Sequence, residues 1–292
     1  MTINFSKYII YENIELFTQS FKDLKLDVKN ESTKEDVVHS YEFYTVSKTG
    51  KKRSILSTSV KWSKVEGLDK VGVTGLYLSP STTVQGLNTC KFAGDCALGC
   101  IAFTGHLGMF HQTTMEYRTL ALFHYTEKYL TDILRELFIQ SFKASIEGKN
   151  IYCRLNGTSD LPFYKVLNMD LIVQDFEGLA GFYDYTKYPI VNNPWTSYHL
   201  TYSLSEKTKT IHSQFDRVAI VVSKKDKLKL LKEYPSIFSD GDLHDIRPLD
   251  NTRLVLLQGK RVTAKDKHLD SGFIETYESV VSRFNLPVVK EG

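Results

Sequence analysis

From residue 71 onward the chain alternates short β-rich runs with helical ones, and this alternation limits the possible folds more than any other feature. The runs "VGVTGLYLS", "NIYCRLN", "GFYDYT", "YHLTYSLS", "RVAIVVS" and "TRLVLLQG" are rich in Val, Ile, Leu, Thr and Tyr and have ordinary strand lengths. Between the first two lies the strongest helical stretch, "TTMEYRTLALFHYTEKYLTDILRELFIQSFKASIEGK". There Leu120, Phe123, Tyr129, Ile133, Leu137 and Phe138 fall near one face and Gly148 is a fitting stop. The later connection "DKLKLLKEYPSIF" is shorter. Strands alternating with helices predict an α/β fold with a mostly parallel sheet, either open or wrapped into a complete or partial (β/α) barrel.

Residues 1–66 differ in character. A weakly amphipathic start and the polar stretch "KNESTKEDVVHS" precede "YEFYTVSKTGKKRSIL", whose β-rich flanks around a Lys-Thr-Gly-Lys turn predict a β-hairpin. We read 1–66 as an N-terminal extension and 67–292 as the main α/β domain, because no linker or repeat divides the rest. The basic "KTGKKR" reads as a solvated turn. With 37 basic against 34 acidic residues the formal charge is +3, which implies no strong nonspecific pull toward nucleic acid or anionic lipid. No apolar run reaches bilayer-spanning length, and the start lacks the pattern of a secretory signal, so a cytoplasmic location is expected.

Three of the four cysteines fall in "TCKFAGDCALGCIAF". Random scattering would bring three so close about one time in a hundred, so the cluster asks for a chemical cause. In a reducing compartment that cause is metal binding or redox chemistry rather than a disulfide framework. Cys90, Cys96 and Cys100 have the spacing C-x5-C-x3-C, with Ala93, Gly94, Ala97 and Gly99 as small residues that let the backbone wrap closely. Three thiolates leave one coordination position open. An iron–sulfur cluster could give it to a small-molecule cofactor, and a zinc ion could fill it with His106, His111 or Cys153. The plain alternative is that the thiols are small buried hydrophobes.

In parallel α/β folds the chemistry gathers at the carboxyl ends of the strands. Those ends are polar here: Asn156, Thr158, Ser159 and Asp160; Asp184, Thr186 and Lys187; Ser203, Ser205 and Glu206; Gln258 and Lys260. Such residues also make turns and helix caps. Of the set, Asn156, Ser159, Asp160, Lys187, Ser203 and Glu206 are the candidate cofactor-binding residues.

The ordered blocks "GLYLSPSTT", "TCKFAGDCALGCIAFTG", "YRTLALF", "YCRLNGTSDLPF", "FYDYTKYP", "YHLTYSLSE" and "DGDLHD" resemble the gene product 88 family of phage and prophage proteins, over roughly residues 70 to 260. The resemblance implies a phage or mobile-element context and names no reaction. Members commonly end the thiol motif as Cys-Tyr-Ala, whereas this chain reads Cys100-Ile101-Ala102. A second, weaker likeness is to radical S-adenosylmethionine enzymes. It implies a partial barrel whose first strand leads into three cysteines binding a [4Fe–4S] cluster, with the open iron taking the amino and carboxylate groups of the cofactor. Cys90, Cys96 and Cys100 hold the matching place in strand order. Their spacing departs from the C-x3-C-x2-C of that family in both gaps, and no typical Gly-rich segment is evident.

Phosphate-loop, dinucleotide-binding, H-E-x-x-H and G-x-S-x-G signatures are absent. The acids of "YKVLNMDLIVQDFE" read as an ordinary helix face, and the Tyr and Phe residues sit mainly at core-like positions. Two functions remain. One is a phage-encoded radical S-adenosylmethionine-like enzyme of unassigned substrate, in which cluster reduction cleaves the sulfonium and the resulting radical abstracts hydrogen. The other is a non-enzymatic phage protein that binds nucleic acid or a host protein and uses the thiols for structural zinc or for packing.

Overall fold

The computed structural model describes residues 3–18, 40–58, 70–84, 86–98, 100–103, 111–211, 214–259 and 273–287. The helices among them are α1 (Glu15–Thr18), α2 (Tyr41–Thr45), α3 (Gln112–His124), α4 (Thr126–Ile146), α5 (Met169–Asp175), α6 (Lys224–Glu233) and α7 (Tyr277–Arg283). The strands are β1 (Ser57–Thr58), β2 (Val71–Gly75), β3 (Asn150–Arg154), β4 (Leu179–Thr186), β5 (Tyr198–Ser203), β6 (Arg217–Val222), β7 (Phe238–Asp240) and β8 (Leu254–Gln258). They form one sheet in the order β1-β2-β3-β4-β5-β6-β8-β7. β1 is antiparallel to β2, and every other pairing is parallel.

All six expected strands are present. The short β1 and β7 were not expected, since neither is long enough to show a period-two pattern. The strongest helical stretch is two helices, broken at Tyr125, whose ring meets Tyr41 edge-on at 5.4 Å. The expected hairpin is replaced by α2, capped by the Ser40 side chain, and a turn closed by one bridge between Val46 and Lys52. Packing overrides β-propensity there: Tyr41 and Tyr44 are buried, and Tyr41 Oη donates to buried Asp132 of α4 at 2.6 Å. The "KTGKKR" turn is exposed as expected, apart from Arg53, which lies over the Tyr117 ring and donates to the carbonyls of Phe43 and Tyr44. The acids of α5 and its end are also structural: Asp170 accepts from the Thr196 and Ser197 backbones, and Asp175 pairs with Lys7.

Side chains alternate across each strand, so the sheet has two differently used faces. Cys153 and Leu155, Phe182, Tyr198 and Tyr202, Val218 and Ile220, and Leu254 and Leu256 join the large core beneath the helices. Fully buried Leu130, Ile133, Leu134 and Leu137 of α4 supply much of its other side. Each such side chain contributes about 1.5–3 kcal/mol through burial. Phe5, Tyr8, Ile9 and Phe17 of the N-terminal segment belong to the same core. The opposite face is concave. Tyr77, just past β2, and Leu257 of β8 stand at distant places in the strand order yet line a common cavity, so the sheet curls into a half-barrel.

Gly178 fixes how α4 meets this sheet. It has φ +81°, and a Cβ there would stand 2.3 Å from the Ser141 carbonyl oxygen on the α4 backbone. Gly178→Ala combines left-handed strain with a backbone clash and should destabilise the fold by about 2 kcal/mol or more, read as a lowered midpoint in urea.

Candidate functional site

The floor of the half-barrel is made by Val73, Tyr183 and Ile246, with Tyr152 and Leu249 against them. Ile246 comes from the β7–β8 connection, which turns into the concave side rather than passing outside. Arg247 of this connection is fully buried, donates to the carbonyls of Gly241 and His244, and pairs with Asp250 at 3.2 Å. Asp245 accepts from Arg154 Nη1 of β3 at 2.8 Å, and Arg154 lies over the ring of Tyr185. Lys227 of α6 binds Asp240 and Asp242 at 2.7 and 2.8 Å. The "DGDLHD" block is therefore a charged plug that ties the edge of the sheet to its middle.

Above the plug, at the carboxyl ends of the strands, is a cavity of about 1150 Å³. Cys90, Cys96 and Cys100 all line it, on the loop that follows β2. The loop is anchored from both sides. Thr89 Oγ1 donates to the Ser79 carbonyl at 2.6 Å, Asp160 N donates to the Thr89 carbonyl at 2.8 Å, and Phe92 meets Tyr188 edge-on at 4.7 Å. Glu206 Oε1 accepts from Asp95 N at 3.1 Å. Gly94 has φ +54°, and its missing side chain leaves room for that carboxylate, since a Cβ would lie 2.1 Å from Glu206 Oε1.

Burial pushes the Cys90 thiol up to about 11 and the Cys100 thiol up to about 12, with the charges of the neighbouring cysteines adding to the effect. Both stay protonated near neutral pH, which makes them poor nucleophiles and poor redox thiols on their own. Among the described residues no three His, Cys, Asp or Glu side chains are grouped closely enough to hold one metal ion. Cys153 is fully buried in the helix-side core, away from the cavity. His111 lines the cavity, and His106 lies outside the described residues.

Of the polar strand ends, Asn156, Ser159, Asp160, Lys187 and Ser203 line the same cavity as the thiols, together with Thr158, Thr186 and Gln258. Glu206 is not part of the lining and acts on the cysteine loop instead. Lys260 lies outside the described residues. The Asn156 side chain is engaged in shaping its own turn: it donates to the Leu161 carbonyl and accepts from Leu161 N and Ser159 Oγ. Asp184 faces the helix side, where it accepts from Asn156 N at 2.7 Å and from Tyr198 Oη at 2.8 Å. Burial raises its carboxyl to about 7, against which the Arg154 charge works. Asp160 Oδ2 accepts from Lys187 N at 2.8 Å, and burial lifts its carboxyl to about 6. Lys187 Nζ donates to Ser203 Oγ at 2.5 Å.

Sequence reasoning did not select Tyr77, Arg118, Arg154, Tyr185 or Asp245, which also line the cavity. A charge inside the strand "IYCRL" was the available signal for Arg154. Nothing local marks Arg118, which is one cation on a mixed helix face. Each block from "GLYLSPSTT" to "DGDLHD" supplies wall residues to this one cavity.

A family model described as gene product 88 matches residues 45–277, well over half of the chain. The chain belongs to the gene product 88 family. No curated protein and no solved structure matches it significantly. The family match begins near the end of α2 and includes the whole sheet, so this gene product 88 protein carries the cysteine loop, the plug and the polar strand ends within the matched region.

Two outcomes test the local geometry. Glu206→Gln keeps an acceptor for Asp95 N, whereas Glu206→Ala removes it; only the Ala variant should speed amide exchange at Asp95 and thiol labelling of the loop. The Asp184 carboxyl is raised from 3.8 to about 7 in the folded chain, so its stabilising contribution is complete below pH 3.8 and is lost as pH rises through about 7. The wild-type melting temperature should contain a component that falls over this interval, and Asp184→Asn should flatten it.

Proposed function

We propose that this phage-family protein is a radical S-adenosylmethionine-like iron–sulfur enzyme acting on a small molecule in the half-barrel cavity. The observation that carries the reading is positional: three thiols on the loop after the first parallel strand share a cavity with the polar ends of the following strands. The donor set fits a cluster. A single zinc holds its sulfurs about 3.8 Å apart, as follows from zinc–sulfur distances of about 2.3 Å, and no such grouping is formed among the described residues. A cluster carries its own sulfides, so its cysteines need not all meet at one ion. Bound there, it would supply one-electron chemistry.

Cys90, Cys96 and Cys100 would be the ligands, and Glu206 would hold their loop in place through Asp95 N. Cys90 and Cys100 must lose protons that burial makes them retain, so loading should improve as pH rises. Lys187 and Asp160 both line the cavity wall, where the Lys187 backbone N–H donates to Asp160 and the Lys187 charge acts on its carboxyl. That pairing suits the carboxylate and ammonium of an amino-acid head group. Asp160 accepts an ammonium best once ionised, so cofactor affinity should rise with pH through about 6. The cavity's apolar members, such as Val221 and Leu257, would give the reacting region apolar neighbours.

Anaerobic reconstitution with iron and sulfide tests the reading. The expected product is brown, with visible charge-transfer absorption that is lost in Cys90→Ser, Cys96→Ser and Cys100→Ser but kept in Cys153→Ser. Colourless protein holding one zinc per chain would overturn it and favour the non-enzymatic alternative.

A further inference from the structure

We propose that the β1–β2 side of the cavity is an oxyanion-binding subsite built by Arg118, Tyr77 and Arg154, so that the small molecule taken by this protein carries a carboxylate or phosphate group. This rests on the cavity being a ligand site, as proposed above, but not on the thiols holding a cluster.

The sheet register assembles the three residues. Ser57 of β1 stands opposite Gly75 of β2, and Gly75 stands opposite Arg154 of β3. Tyr77 follows two residues beyond Gly75, and Arg118 of α3 reaches in to donate from Nη2 to Ser57 Oγ at 3.1 Å and to the Ser54 carbonyl at 2.8 Å. All three side chains line the cavity. Tyr77 feels the positive charges of Arg154 and Arg118, with the Asp245 carboxylate that pairs with Arg154 acting in the opposite sense.

The charges here are unequally matched. Arg154 pairs with Asp245 at 2.8 Å, and Asp184 stands 4.0 Å from its Nε on the helix side. Lys227, the cation on the far side of the plug, has Asp240 and Asp242. Arg118 forms no ion pair among the described residues, and its buried Nε has no hydrogen-bond partner. Glu136, the acid whose charge reaches it, is engaged by Ser54 Oγ, Ile55 N and Leu56 N. Drawing a guanidinium out of water without a counter-charge is costly, and burial accordingly lowers the Arg118 pKa. An oxyanion entering the cavity removes that cost and meets donors whose fork geometry suits carboxylate and phosphate alike.

The experiment uses the full chain without iron or sulfide and measures calorimetric affinity for inorganic phosphate and for succinate at low ionic strength. Wild type should bind at least one of them at millimolar concentration or below, and Arg118→Gln should weaken that binding by about tenfold or more. The preferred probe then assigns phosphate or carboxylate, and either preference supports the proposal. Ser57→Ala, which removes a partner of Arg118 but leaves its charge, should bind as wild type does. Lys225→Gln, at an exposed lysine outside the cavity, should change affinity less than twofold, and a variant with Cys90, Cys96 and Cys100 all replaced by Ser should keep it. The last result separates this proposal from the iron–sulfur reading, since either can fail alone. No binding of either probe by wild type, equal binding by Arg118→Gln, or loss of binding in the folded triple-serine variant would overturn it.

Discussion

A buried guanidinium must find its counter-charge close by, and in this protein that requirement organises the concave face of the sheet. Arg154 projects from β3, is 8% exposed, lies over Tyr185 and meets Asp245 at 2.8 Å. Asp245 belongs to the connection between the last two strands in the chain, so the ion pair joins the middle of the half-barrel to a loop that begins at its edge. Ile246, next in the chain, is thereby set against Val73 and Tyr183 and closes the floor. Removing Asp245 would leave the buried Arg154 guanidinium with only Asp184, 4.0 Å from its Nε, as counter-charge, which costs more than the pair gains. The floor, the plug and the volume above them thus share one electrostatic condition.

Parallel pairing does the rest of the positioning. Each parallel strand delivers its following segment to the same edge, so residues 90, 118, 154, 187 and 203 reach one cavity although they are spread through the chain. This explains why the polar ends form a wall whose members divide their roles. Asn156 shapes its own turn, Asp184 supports the Asn156 backbone from the helix side, and Glu206 supports the cysteine loop from behind. Lys187, Ser203 and Asp160 remain as the groups presented inward on that wall.

The fold was legible in the sequence where the physics is local. Six strands and the parallel class follow from composition and alternation, because β-branched and aromatic runs separated by helical segments have few other arrangements. The segment 41–56 was misread because Tyr41 and Tyr44 have high β-propensity, yet their burial against α3 and α4, with Asp132 as partner, favours a helical turn. The site was legible in part. Thiol clustering and polar strand ends are properties of adjacent residues, and the structure gathers them on one cavity. Arg118 and Asp245 matter only through partners distant in the chain, and no local pattern announces such a pairing.

The two ends of the cavity are chemically unlike, and the difference follows from how each is buried. At the cysteine loop, desolvation keeps Cys90 and Cys100 protonated, so these two thiols carry no charge until something displaces the protons. At the β1–β2 side the desolvated group is half-buried Arg118, a guanidinium too basic to shed its proton under such a shift, so the same effect leaves a charge in place. A thiol can relieve the cost of burial by staying neutral; a guanidinium relieves it only by finding an anion. On the proposed oxyanion subsite, an elongated ligand with an acidic group at one end would set that group toward Arg118 and its other end toward the cysteines.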